Sequence, residues 1–253
     1  LLETFHYKYL ASPCVKIDIA KNDYRDKVKD VMYDGTQPIN FLTSGYDGAA
    51  TSPIGIADYW IWKYTNRPNN NYSAWQHVRG TGIINAGQGF TMKGPGTGSL
   101  FTNQNYVFLG KPNNGDINLT ITAENDYLVG NPYPSAIDAN QFIIDNGMSN
   151  SGTAPTITGT LYFWQHWGGG THFLNSYDGG YATYNFSGGV AAASYGTNDP
   201  FFATGGIPAK QPNRYIPVGQ GFFVASKNTG TINFNNGQRV FRKEGNSNNA
   251  VTR

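Results

Sequence analysis

The side chains best suited to chemistry lie in one stretch. Trp164-Gln165-His166-Trp167 runs into Gly168-Gly169-Gly170-Thr171-His172, and Tyr181 and Tyr184 follow. Aromatic faces can stack on sugar rings while Asn and Gln bond hydroxyls, so Trp164, His166, Trp167, His172, Tyr181 and Tyr184 form a candidate glycan-binding set. The competing expectation is plainer: Trp164 belongs to the core, as Trp62 does in a related motif, and His166 is an ordinary strand residue. His166, His172 and Asp178 match no zinc spacing. Asp116 and Asp178 sit in Asn/Gly-rich turns that fit neither calcium loop. Gly87-Gln88-Gly89 and Gly219-Gln220-Gly221 lack the Lys-Ser/Thr of a phosphate loop and the third glycine of a dinucleotide fold, so backbone approach at a strand start is the expected role. There is no nucleophile elbow and no His-Glu-x-x-His. Glutamate occurs only at Glu3, Glu124 and Glu244, which leaves few carboxylates for glycoside cleavage. Cys14 is alone and carries no sign of activation. The expectation is no catalytic residue, no metal and no cofactor.

The elements that would position these residues are strands. The 253-residue chain is 15% aromatic and only 13% charged, with 32 Gly. Aromatic residues fit a pleated surface, and Gly and Asn fit the turns between strands. A net charge of +2 without a basic block gives no reason to expect nucleic acid as a partner. No stretch approaches a membrane span. The start at Leu1-Leu2-Glu3 reads as an internal or processed piece.

Three motifs recur in order. Tyr9-Leu10-Ala11-Ser12-Pro13 is answered by Tyr127-Leu128-Val129-Gly130-Asn131-Pro132. Tyr59-Trp60-Ile61-Trp62-Lys63-Tyr64 is answered by Leu161-Tyr162-Phe163-Trp164-Gln165-His166. Gly87-Gln88-Gly89-Phe90-Thr91-Met92 is answered by Gly219-Gln220-Gly221-Phe222-Phe223-Val224. Ordered matches with unequal loops predict a duplication, with copies at residues 1–118 and 119–253. Strands are predicted over 7–10, 59–64, 89–93 and 106–109, then 126–129, 159–164, 181–185, 221–225, 231–235 and 238–242. Asn236-Gly237 predicts a type I′ hairpin between the last two. Ser135 predicts a helix N-cap over 136–143, and 20–31 is a weaker helix. The fold class is all-β: two sequence-related, sandwich-like (jelly-roll-like) lobes with minor helix.

Residues 126–138, 159–164, 179–185 and 216–224 resemble signatures of large exported proteins of the Bacteroidetes, flavobacteria above all; residues 57–63 and 89–98 fit the same pattern. The resemblance implies export by the type IX secretion system, with the outer-membrane translocon and its shuttle protein as transient partners. It further implies a location outside the cell or at its surface, a C-terminal sorting domain in the precursor, and an adhesin-like role, in some members tied to gliding motility. It carries no catalytic residues. The expected function is a non-enzymatic spacer or adhesin, with other cell-surface proteins as contacts; a carbohydrate-binding module for surface glycans is the second reading and a glycoside-processing enzyme the third.

Overall fold

A computed structural model of the chain describes residues 5–16, 25–97, 104–148, 154–168, 172, 178–192 and 210–242. The fold is all-β with minor helix. Its largest sheet has six antiparallel strands in the spatial order Gly188–Val190, Asp178–Asn185, Ile157–Gly168, Gly221–Ser226, Asn125–Gly130 and Arg67–Pro68. Five strands come from the second copy and the last from the first. One sheet face is apolar: Val129, Leu161, Phe163, Ala182, Phe222 and Val224 alternate inward along their strands. A helix, α2 (Ala139–Gly147), and the pair Ile117–Ile121 with Gly230–Phe234 cover that face. Phe142 of the helix meets Phe222 at 5.5 Å and Phe234 at 4.9 Å between ring centroids. A separate core in the first copy gathers Met32, Ile54, Ile56, Ile61, Phe90 and Met92. Among the described residues no helix is long and apolar enough to cross a membrane.

The two segments expected to be copies pair in the same way. In the first, Lys8–Ala11 pairs antiparallel with Gly89–Met92, setting Leu10 opposite Phe90. In the second, Asn125–Gly130 pairs with Gly221–Ser226, setting Val129 opposite Phe222. The copies then cross. Leu10 bridges to Gln220 of the other copy, and Val129 bridges to Gln88. Ala11 N donates to Gly219 O and Gly130 N to Gly87 O, both at 3.0 Å. Leu10 is therefore the partner of Val129 in the duplication, and Pro13 of Pro132. Aligning Tyr9-Leu10 with Tyr127-Leu128 by residue type is one position out.

The repeated glycines serve this crossing. Gly87 (φ +82°) and Gly219 (φ +73°) take the left-handed conformation that turns the chain into the strand. At Gly89 a Cβ would stand 2.7 Å from Leu128 Cγ and 2.8 Å from Val129 O; at Gly221, 2.8 Å from Tyr9 C and 2.9 Å from Leu10 N. Only a residue without a side chain lets the two copies approach so closely.

A strand-then-helix unit also repeats. Arg25–Lys27 pairs with Ile83–Asn85 and leads into α1 (Val28–Val31); Ala136–Asp138 pairs with Tyr215–Ile216 and leads into α2. Asp138 caps α2 by accepting from Asn140 N at 3.0 Å, whereas Lys27 at the matching position makes no side-chain cap. The capped helix runs nine residues and the uncapped one four.

Several local expectations are corrected. Residues 136–138 are strand, so the cap is Asp138 and not Ser135. Of the helix expected over 20–31, only Val28–Val31 is helical among described residues. Residues 235–238 are no type I′ hairpin: Asn235 caps a 3-10 turn in a capping box with Gln238, because buried Gln238 folds back to Asp145 Oδ2 at 2.7 Å. The flanking strands pair elsewhere. Residues 59–64 are not one strand; Asp58–Trp60 is a 3-10 turn before the short strand Trp62–Lys63. The Thr91 hydroxyl, donating to Trp60 O at 2.7 Å and accepting from Trp62 N at 3.0 Å, replaces main-chain pairing there.

Candidate functional site

The outer face of the six-stranded sheet carries Phe223, Tyr162, Trp164 and Tyr181, since directly paired residues share a face. The first copy covers part of it. Tyr9 lies 5.6 Å from Phe223 and 6.2 Å from Trp164, nearly parallel to the latter, and its hydroxyl is 2.8 Å from that of Tyr181. Tyr64 and Trp75 pack edge-on against Phe223. Tyr9, Tyr64 and Leu128 are buried in this seam. Burial pushes the Tyr9 phenol well above its ordinary pKa and that of Tyr181 up to about 12.

Of the proposed glycan-binding residues, Trp164 meets Tyr181 at 5.3 Å and His166 at 6.3 Å between ring centroids, while Tyr184 and His172 lie elsewhere. Trp164 is half-buried under Tyr9 and Tyr181. Its indole Nε1 has no hydrogen-bond partner among the described residues. Tyr181 remains 40% exposed. Tyr184 faces the opposite way, into the second-copy core, and donates to Asn140 Oδ1 at 2.8 Å. His166 is buried, stacked on His6 at 4.1 Å, and its Nδ1 accepts from Tyr7 N at 3.2 Å. Trp167 stands at a strand irregularity between His166 and Gly168, and its side chain lies outside the described residues.

His172 crosses to the first copy. Its Nε2 is 2.8 Å from Asp47 Oδ1, its Nδ1 is 3.3 Å from Lys93 Nζ, and its ring stacks on Trp60 at 4.8 Å. Lys93, fully buried, sits with its ammonium 3.9 Å from the Trp60 ring centre and 4.6 Å from that of Tyr7. Desolvation lowers the Lys93 pKa to about 7. Desolvation, then the neighbouring Lys93, also lowers the His172 imidazole, against the opposing pull of Asp47. Among the described residues, this box brings together one amine, one imidazole and two aromatic faces. The sequence offered no cue to it beyond a lysine directly after the buried strand Gly89–Met92.

Among the described residues no three His, Cys, Asp or Glu side chains group as a metal site requires. Glu124 lies in a turn at φ +61°, while Glu3 and Glu244 lie outside the described residues. The first copy's counterpart of the Trp164–Tyr181 pair is Trp62 with His77, opposite one another across Trp62–Lys63 and Gln76–His77 and stacked at 4.1 Å.

No curated protein and no solved structure matches the chain. One family match spans residues 41–251, so it begins inside the first copy and includes nearly all of the second. The chain belongs to that family, described as a domain of unknown function, DUF8693.

Proposed function

We propose that the chain is a non-catalytic structural module of an exported bacterial surface protein, acting as a rigid spacer or an adhesive contact. The reading is carried by the reciprocal crossing of the copies, Leu10 with Gln220 and Val129 with Gln88. A loose tandem would leave each sheet edge free. Here each copy lends strand pairing to the other and the aromatic seam fills the junction, an arrangement suited to bearing load without hinging. Export through the type IX translocon with its shuttle, and residence at the cell surface, rest on the resemblance of residues 126–138 and 216–224.

Stretching single molecules between their termini tests the mechanical reading. The expected trace shows one unfolding event releasing both copies together. Two separate events of roughly half the length each would refute it.

A further inference from the structure

We propose that the first copy carries a carbohydrate-stacking face made by Tyr46, Tyr59, Trp62 and His77. The duplication supplies the starting point. Each copy places a Trp opposite a second ring on the neighbouring strand: Trp164 with Tyr181, and Trp62 with His77. Tyr9 covers the first of these pairs. The second pair is partnered differently: His77 is exposed, Trp62 is partly buried, and Tyr46, packed on Tyr59 and Trp60, is 55% exposed.

These rings are held in fixed positions. Trp62 Nε1 donates to Tyr59 O at 2.7 Å. Tyr59 stands edge-on to Tyr46 at 4.8 Å, to His77 at 5.4 Å and to Trp62 at 6.1 Å. A ligand meeting them encounters rigid aromatic area at little cost in side-chain ordering. The nearby cations make local hydrogen bonds. Arg79 pairs with buried Asp58 at 3.1 Å and donates to Thr43 O, and Lys63 Nζ donates to Ile83 O at 2.9 Å. Burial and the Arg79 charge lower the His77 pKa, which favours the neutral ring.

A face of aromatic rings suits a neutral pyranose, whose C–H faces lie on the rings while its hydroxyls reach outward toward donors such as Lys63. A polyanion would need free Lys and Arg, and an amphipathic helix an aliphatic groove.

The test is calorimetric titration of the whole chain with neutral gluco-, xylo-, manno- and galacto-oligosaccharides, in the unaltered protein and in Tyr46→Ala, His77→Ala and Tyr181→Ala. The expected result is binding of at least one series, weakened about tenfold by each of the first two changes and unchanged by Tyr181→Ala. Thermal melting of each variant checks that the fold persists. The proposal is overturned if no series binds the folded protein, if binding survives both first-copy changes, or if only Tyr181→Ala abolishes it.

Discussion

Replacing Lys93 with Met should stabilise the protein at neutral pH and erase a pH dependence. Lys93 is fully buried among Tyr7, Trp60 and His172, with Asp47 behind the imidazole. A fall from 10.5 to about 7 places a penalty of about 5 kcal/mol on the charged amine in the folded state. The faces of Trp60 and Tyr7 stabilise the ammonium and make this figure an upper bound. The direction follows from proton counts. Between pH 7 and 10.5 the unfolded lysine holds a proton that the folded one has shed, so stability rises with pH through that window. Below pH 7 both states are charged and the contribution is flat at its least favourable value. Met fills similar space without a charge. Urea titrations from pH 6 to 10 are the assay. The unaltered protein should gain stability as pH rises toward 10, and Lys93→Met should start higher and lose that gain. A Lys93→Met protein less stable at pH 7, or one that keeps the slope, would refute the assignment of a buried, desolvated amine.

Other consequences can be checked on the same protein. Above pH 10 the trend should reverse, because burial raises the phenols of Tyr7, Tyr9, Tyr106 and Tyr133; unfolded tyrosines ionise first, so stability present below pH 10 is lost as pH climbs, and alkaline melts should show it. Gly221→Ala drives a methyl into the backbone of Tyr9 and Leu10 and should cost about 1–3 kcal/mol in denaturant titrations, with Gly89→Ala behaving alike. Asn131→Ala should cost about 2–4 kcal/mol by the same measurement, since the buried amide donates to Ser135 O, Ile216 O and Pro217 O and accepts from Tyr133 N. Asp138→Ala removes the α2 cap and the acceptor for Arg214; a loss of about 1 kcal/mol is expected from the cap, seen as reduced helical circular dichroism before global melting.

Much of the frame was legible because it follows from residue type. Glycines at Gly87, Gly89, Gly219 and Gly221 and the apolar alternation after them marked the repeated strands, and the all-β class followed from aromatics and turn residues. The register was not legible. Tyr-Leu attracts Tyr-Leu in an alignment, yet the residue that meets the glutamine of the other copy is Leu10 in one case and Val129 in the other. That choice is made by long-range pairing, which residue identity does not encode. Tyr184 parts from the other proposed ligand residues for a similar reason. In a strand of period two, Trp164 and Tyr181 face outward while Tyr184 must face inward. Packing of Tyr9 and His6 from far along the chain then takes up Trp164 and His166. Lys93 was overlooked because a lysine following a strand ordinarily reaches solvent, whereas Tyr7, Trp60 and His172, all distant in sequence, help to enclose it.

Hydrogen exchange at two amides tests the fusion of the copies most directly. Ala11 N and Gly130 N each donate across the junction, to Gly219 O and Gly87 O. If the copies form one block, these amides exchange only through global unfolding, with the same free energy and urea dependence as the core amides of Phe90 and Phe222. Exchange of Ala11 and Gly130 at markedly lower free energy, with each core protected separately, would contradict the account.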